Sequence, residues 1–300
     1  MRKIWAILAF LLICAVVAGC SRSDGNVVVG AKDYTEQYIL GNILALLIEK
    51  NTNLEVTLKI DMGSDMIFAG LSRDTLDVYV EYTGTIFANH LNFYDSHSDF
   101  DEMPGSDAIF ETSRQALMDE YNIHMLDKLG FNNTYALAVR SETAAEFNLG
   151  SISDLAKVSS DFIFGGGNEI LSRSDGIPTL KILYDISFKD EVVLNGNDRY
   201  IAIAADEVQV IEAFSTDGML LEYSLVVLKD DKQFFPPYHA VPVIRDEIAQ
   251  KHPEIIDVLN LLTGLLNDDT MRSLNYKVDV QGQEPKDVAE EFLKENNLIR

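Results

Sequence analysis

The chain has 300 residues, a formal net charge of −24, 47% hydrophobic residues and 24% charged residues. This length is enough for a large buried core and suggests two domains, and the composition is that of a globular protein. The 48 acidic against 24 basic residues argue against nucleic acid as a partner, because phosphate binding needs a basic face. They argue equally against polybasic docking to anionic lipid.

The first twenty residues predict an export signal rather than a part of the fold. A basic start is followed by an apolar run over residues 4–17, which is too short to span a bilayer comfortably. The small residues directly before Cys20 resemble the lipobox of bacterial lipoproteins, in which the Cys is acylated and begins the mature chain. We therefore predict a lipoprotein signal peptide over residues 1–19, then lipidated Cys20 and a linker over residues 20–26. The alternatives are an uncleaved anchor or an ordinary signal peptide.

This processing would leave the protein on the extracytoplasmic face of the cell membrane, held by its lipid alone. Removal of the signal peptide also removes Cys14, so no disulfide is available within the mature chain.

The first part of the chain predicts a strand–helix–strand–helix–strand series, which is typical of a parallel sheet. Strands are predicted at residues 27–29, 55–62 and 76–82, with helices beginning near residues 35 and 63. Ligand sites in such sheets lie beyond the carboxyl ends of the strands. Those ends are here Lys32, Met62 and Tyr82. The acidic segment at residues 95–102 is predicted to be a surface loop.

A second α/β unit is predicted from residue 135 onward. Its strands fall at residues 135–139, 162–164, 191–194 and 208–213, its helices at 152–158, 178–184 and 199–205, and a glycine turn at 165–167. Residues 225–228 read as a connecting strand, residues 239–244 as a further strand, and the last fifty residues as mainly helical. Two α/β lobes joined by crossing segments near residues 134–139 and 229–240 would enclose a cleft. The predicted division is residues 27–135 plus 236–300 for lobe 1, and residues 136–235 for lobe 2.

The motifs of several enzyme classes do not occur in the sequence. It contains no phosphate-binding GxxxxGK[ST], no GxSxG and no HExxH. The five His are isolated, without metal-ligand spacing, so that no metal site and no cofactor are predicted. An enzyme is therefore the weaker class, although a lipoprotein enzyme acting on a small metabolite is kept as an alternative.

Five segments together resemble one family, the substrate-binding proteins of osmoprotectant ABC importers of the OpuC/ProX type. These segments are residues 30–37 (GAKDYTEQ), 77–85 (DVYVEYTGT), 130–137 (GFNNTYAL), 213–218 (AFSTDG) and 234–238 (FFPPY). Members of this family bind glycine betaine, carnitine, choline or proline betaine. The similarity continues to the C-terminus, including residues 274–278 (LNYKV).

The resemblance implies a type II periplasmic-binding-protein fold, in which two lobes close over the ligand and an aromatic cage holds its quaternary ammonium. The cage positions would be Tyr82, Tyr135, Phe214 and Tyr238. The contacts to the ligand's carboxylate would be Lys32, Thr85 and, on spacing alone, Arg173, with Asn133 as a contact at the rim. A monomer that delivers its ligand to an ABC permease, with its ATPase, is the expected assembly.

A cage suits this ligand because a trimethylammonium has no N–H to donate, whereas aromatic faces attract it through their negative quadrupole. A cationic pair of Lys32 and Arg173 would favour a betaine over choline. An ergothioneine- or choline-binding component of the same family is the alternative, and two departures from the family pattern bear on ergothioneine. Phe214 stands where a Tyr is usual, and the glycines at 165–167, together with Ile177, suggest an altered wall of the site.

Overall fold

Two five-stranded sheets form the framework of the protein. The computed structural model describes residues 25–91, 104–172 and 176–300. The first sheet consists of β1 (Asn26–Lys32), β2 (Glu55–Met62), β3 (Val78–Tyr82), β4 (Ile123–Met125) and β10 (Ala240–Arg245). Its strand order is β2-β1-β3-β10-β4, with β1 parallel to β2 and β3 while β10 is antiparallel to both of its neighbours.

The second sheet repeats this plan. It consists of β5 (Tyr135–Arg140), β6 (Ile163–Gly166), β7 (Asp190–Val193), β8 (Val210–Phe214) and β9 (Leu225–Val227). Its order is β7-β6-β8-β5-β9, where β6 is parallel to β7 and β8, and β5 is antiparallel to β8 and β9. In each sheet, three neighbouring parallel strands lie beside one antiparallel strand, and the fifth strand pairs with the other edge of that antiparallel strand. The predicted architecture of two α/β units is confirmed.

Helices cover the sheets. Around the first sheet lie α1 (Thr35–Asn51), α2 (Ser64–Ser72), the single turn α3 (Thr83–Thr85) with a π-helical turn (Ile86–His90), α4 (Ser106–Tyr121), α11 (Asp246–Lys251), α12 (Glu254–Leu259), α13 (Asp268–Asp279) and α14 (Pro285–Glu295). Around the second lie α5 (Ser141–Phe147), α6 (Ile152–Ala156), α7 (Asn168–Ser172), α8 (Ile177–Tyr184), α9 (Asp198–Ala204) and α10 (Met219–Glu222). Two 3₁₀ turns lie at Ser159–Asp161 and Asn260–Leu262.

The central helix of the larger core is α1. Its apolar residues recur at helical spacing, and Ile39, Ile43 and Leu47 are all fully buried between the sheet and α14. Because this face is buried, α1 packs along the sheet, and its first turn lies directly after β1, at the edge of the sheet where β1 and β3 end.

Two segments cross between the sheets and are tied to each other. The Thr134 hydroxyl donates to the Pro236 carbonyl at 2.8 Å, and the Tyr238 N–H donates to the Asn132 side chain at 2.6 Å. The crossings thus lie beside one another, just before β5 and β10. The division into lobes at residues 135 and 236 stays a prediction.

Three local predictions need correction. Gly165 and Gly166 are not a turn but the end of β6, because they pair with Val192 and Val193 of β7. Residues 225–227 are not merely a connection but an edge strand paired with β5. No element was predicted between residues 103 and 134, where the structure has α4 and β4.

Candidate functional site

A cavity of about 540 Å³ lies where the carboxyl ends of strands from both sheets meet. Its walls contain seven of the eight residues predicted to contact ligand: Lys32, Tyr82, Thr85, Asn133, Tyr135, Phe214 and Tyr238. They come from elements of both sheets, since β1 and β3 belong to the first sheet while β5 and β8 belong to the second. The sequence motifs thus converge on one site, although they are separated by up to about two hundred residues.

The remaining predicted positions either lie outside the described residues or do not line the cavity. Arg173 and Cys20 lie outside the described residues. Neither the glycines at 165–167 nor Ile177 lines the cavity. A Cβ added to Gly165 would lie 2.7 Å from Leu194, and Ile177 is fully buried in the core of the second sheet. These residues therefore serve packing, and the prediction that they alter the wall of the site is wrong.

Aromatic rings dominate one part of the cavity wall. The rings of Tyr135 and Phe214 lie with their centroids 4.9 Å apart, across the β5–β8 pairing that puts these two residues opposite each other. The ring of Tyr238 packs against Gly84, where an added Cβ would lie 2.7 Å from Tyr238 Cε1 and 2.9 Å from the Pro237 carbonyl. The absence of a side chain at Gly84 therefore sets the position of this ring.

Lys32 lines the cavity, but its ammonium is already paired. Lys32 Nζ donates to Glu81, a carboxylate with no exposed surface, and both side chains are buried. Burial raises the pKa of Glu81, but the charge of Lys32 and the hydrogen bond of His90 outweigh it and hold the pKa at about 2. Lys32 therefore reaches the cavity as one member of an ion pair, because β3 places a buried carboxylate beside the end of β1 and a buried charge needs a partner. Its contact to the ligand's carboxylate stays a prediction.

The Glu81 carboxylate has further hydrogen-bond partners besides Lys32. It accepts from the Tyr79 hydroxyl at 3.0 Å and from the Tyr82 backbone N–H at 2.8 Å, and His90 Nε2 lies 3.3 Å away. Lys32 Nζ also lies 5.3 Å from the centroid of the Tyr82 ring. The pair thus fixes the end of β3 and one face of this ring.

A second buried carboxylate, Glu36, faces the cavity from the first turn of α1. Its oxygens accept from the Tyr82 hydroxyl at 2.7 Å, from Asn133 Nδ2 at 2.9 Å and from Asn275 Nδ2 at 3.1 Å. Burial raises the pKa of Glu36 above its usual range, although its hydrogen bonds lower it. Asn133, predicted as a contact at the rim, thus also orients this carboxylate.

Arg199 is a cation of the cavity wall that sequence reasoning did not assign to the site. Its guanidinium lies 3.4 Å from Asp217 and 3.8 Å from Glu212, and its carbon Cζ is 5.9 Å from the centroid of the Phe214 ring. Asp279 also lines the cavity, where burial and the charge of Asp217 raise its pKa. Among the described residues that line the cavity, three are carboxylates and two are cations, and both cations are paired with acidic groups. The carboxylates are Glu36, Asp217 and Asp279, and the cations are Lys32 and Arg199.

Most of the missed residues carried a signal in the sequence. Tyr34 and Glu36 lie in the motif at 30–37, Thr216 and Asp217 in the motif at 213–218, and Asn275 in the segment at 274–278. From these segments only Lys32 and Phe214 are assigned to the site by the resemblance, and no residue of the segment at 274–278 is. Arg199 belongs to none of these motifs, and its place depends on how α9 packs against β8.

Within residues 25–91, 104–172 and 176–300, no group of three or more His, Cys, Asp or Glu is placed to hold a metal ion. Nor does any helix of these residues have the length and apolar character needed to cross a membrane.

Comparisons with known proteins agree on one family. The model of the substrate-binding domain of ABC-type glycine betaine transport systems matches residues 25–295. The chain is 37% identical over 298 residues to an ergothioneine transport permease/ergothioneine binding protein of Helicobacter pylori, covering 98% of this chain but 52% of that relative. It is 34% identical over 293 residues to the carnitine transport binding protein OpuCC of Listeria monocytogenes, covering 97% and 93% of the two chains.

Solved structures show the same relationship. A crystal structure described as a glycine betaine/carnitine/choline ABC transporter has 34% identity and a TM-score of 0.85, and covers 91% of this chain and 99% of that one. The apo form of YehZ from Escherichia coli has 25% identity and a TM-score of 0.79. The predicted type II periplasmic-binding-protein fold is confirmed. The chain belongs to the family of substrate-binding domains of ABC-type glycine betaine transport systems.

Proposed function

We propose that this protein is the solute-binding component of an ABC importer for quaternary-ammonium compatible solutes, with a betaine as its ligand. The observation that carries the proposal is the convergence of Tyr82, Tyr135, Phe214 and Tyr238 on one cavity. Their faces supply what a trimethylammonium requires, since this group donates no hydrogen bond and is bound through ring quadrupoles. Each desolvated ring contributes about 0.5–2 kcal/mol, which is compatible with micromolar binding at about −8 kcal/mol.

The carboxylate of a betaine would lie near Lys32 and Thr85, with Arg173 as a further candidate. Because Glu81 neutralises Lys32, the ammonium contributes N–H donors rather than net charge. Ligand contacts to both sheets would stabilise a closed arrangement of the lobes, which is the form that a permease recognises. We further propose that the chain acts as a monomer, anchored through lipidated Cys20 on the extracytoplasmic face.

Calorimetry on the soluble form that starts at Ser21 tests this proposal. The ligands are glycine betaine, proline betaine, carnitine, choline and ergothioneine, with proline as a control that lacks a quaternary ammonium. Saturable binding of one or more trimethylammonium compounds is expected. A failure to bind every one of them would refute the proposal.

Ergothioneine is a second candidate, favoured by a specific observation. The cavity carries three carboxylates, Glu36, Asp217 and Asp279, which are hydrogen-bond acceptors. Glycine betaine has no N–H or O–H donor for them, whereas the imidazole ring of ergothioneine does. The Helicobacter pylori relative is named for this ligand. In the same titration series, tighter binding of ergothioneine than of glycine betaine supports this candidate, and the reverse order excludes it as the preferred ligand.

A further inference from the structure

Glu36 is a buried carboxyl group that accepts several hydrogen bonds and has no cation beside it among the described residues. Gln37 Nε2 donates to the Val80 carbonyl at 2.9 Å, which fixes the orientation of this amide, and also donates to the Tyr82 hydroxyl at 3.1 Å. The Tyr82 hydroxyl donates to Glu36 at 2.7 Å, and it also forms a hydrogen bond with the Tyr34 hydroxyl. The hydrogen-bond chain thus supplies Glu36 with a donor and favours its ionised form.

The two amides point to the same conclusion. Asn275 Nδ2 donates to the Thr216 carbonyl at 2.8 Å as well as to Glu36, so that its NH₂ group faces the carboxylate. Asn133 also directs its Nδ2 at Glu36. An amide NH₂ only donates, and three donors on one buried carboxyl stabilise a negative charge.

No counter-charge stands beside this group in the described part of the chain. Glu36 forms no ion pair with a Lys, Arg or His of residues 25–91, 104–172 or 176–300. Lys32 pairs with Glu81, and Arg199 lies against Glu212 and Asp217. Buried carboxylates are usually paired with a cation, because the loss of hydration is otherwise uncompensated.

The position of Glu36 shows where the missing cation would lie. Glu36 lines the cavity and bonds to Tyr82, a cage residue, and to Asn133, which precedes the cage residue Tyr135 by two positions. We propose that Glu36 is the counter-charge of the ligand's quaternary ammonium, so that the site selects a permanent positive charge and not only the shape of a trimethyl group. This inference rests on the proposed function and deepens it.

The test compares each ligand with a copy of the same shape that lacks the positive charge of the ammonium. In 3,3-dimethylbutan-1-ol a carbon atom replaces the quaternary nitrogen of choline. In 3,3-dimethylbutanoate a carbon atom replaces the quaternary nitrogen of glycine betaine. The affinity ratio within each pair measures the preference for positive charge. We expect Glu36→Gln to lower this ratio tenfold or more, and Glu36→Asp, which keeps the charge, to retain most of it. Glu49→Gln removes an exposed carboxylate from the same helix and is the matched control, expected to leave the ratio unchanged.

The outcomes separate this inference from the proposed function. If the wild-type protein binds no quaternary ammonium compound, the proposed function fails. If it binds one and Glu36→Gln weakens the ligands with and without the ammonium equally, Glu36 has only a structural role and the inference is overturned.

A second measurement on the wild-type protein keeps the test valid if Glu36→Gln does not fold. Choline and its neutral copy do not titrate, so a pH series reports only on the protein. The charge preference should fall as the pH is lowered through the raised pKa of Glu36. A preference that stays constant from about pH 8 to about pH 4 would overturn the inference. The other charged or titratable groups around Glu36 are Lys32, Tyr34, Glu81, Tyr82, Arg199, Asp217 and Asp279. Because Asp279 also has a raised pKa, Asp279→Asn is measured in parallel and should retain the pH dependence.

Discussion

Replacement of Glu81 by Gln should destabilise the protein strongly, because it breaks the buried pair with Lys32. The Glu81 side chain has no exposed surface, and the charge of Lys32 together with the hydrogen bonds to the carboxylate holds its pKa well below the ordinary value of 4.5. Ionised Glu81 therefore stabilises the folded state. The variant also leaves the Lys32 ammonium buried without a carboxylate, so we expect a loss of about 3–5 kcal/mol at neutral pH.

Urea unfolding over a range of pH measures this effect. Because the folded-state pKa of Glu81 is lowered, its stabilisation is fully present above about pH 4.5 and is lost as the pH falls toward about 2. The difference between the wild-type protein and Glu81→Gln should shrink over that window.

A double-mutant cycle with Lys32→Met isolates the pair. Each single variant leaves one buried charge uncompensated, whereas the double variant leaves neither, so it should be less destabilised than the two singles combined. Additivity within about 0.5 kcal/mol would refute the argument that the two charges compensate each other.

Four further substitutions test the cavity by calorimetry. Tyr82→Ala and Tyr238→Ala should each weaken binding of a trimethylammonium ligand tenfold or more, about 1.4 kcal/mol, and losses below twofold would contradict the cage. Lys32→Ala should weaken glycine betaine more than choline, which has no carboxylate; equal losses would exclude a carboxylate contact at this residue. Gly84→Ala should displace the Tyr238 ring and weaken every quaternary ammonium ligand, because the new Cβ would lie 2.7 Å from that ring. Unchanged affinity in that variant would show that the ring position is not critical.

Elements with strong local patterns could be predicted from the sequence. The helical spacing of Ile39, Ile43 and Leu47 gave α1, and the strand–helix alternation gave the parallel part of each sheet. The edge strand β9 was harder, since three half-buried residues carry little periodicity and their pairing with β5 is set by tertiary contacts. The glycines of β6 could not be assigned to a strand from the sequence for the same reason, because pairing with β7 overrides their tendency to form turns.

The site was predictable where a motif carried it and not where a distant contact decided its chemistry. Resemblance supplied the aromatic positions, and the structure brings them to one cavity. The pairing of Lys32 with Glu81 joins residues 49 positions apart, and that of Glu36 with Asn275 joins residues 239 positions apart. Neither contact leaves a local pattern in the sequence, although both determine which charges the cavity offers.

A crystal structure of the soluble form with its bound quaternary ammonium ligand tests the central claim most directly. The account predicts the ammonium nitrogen within about 6 Å of the ring centroids of Tyr82, Tyr135, Phe214 and Tyr238, with the lobes closed around it. A ligand bound outside this cavity, or one whose ammonium group points away from the four rings, would contradict the account.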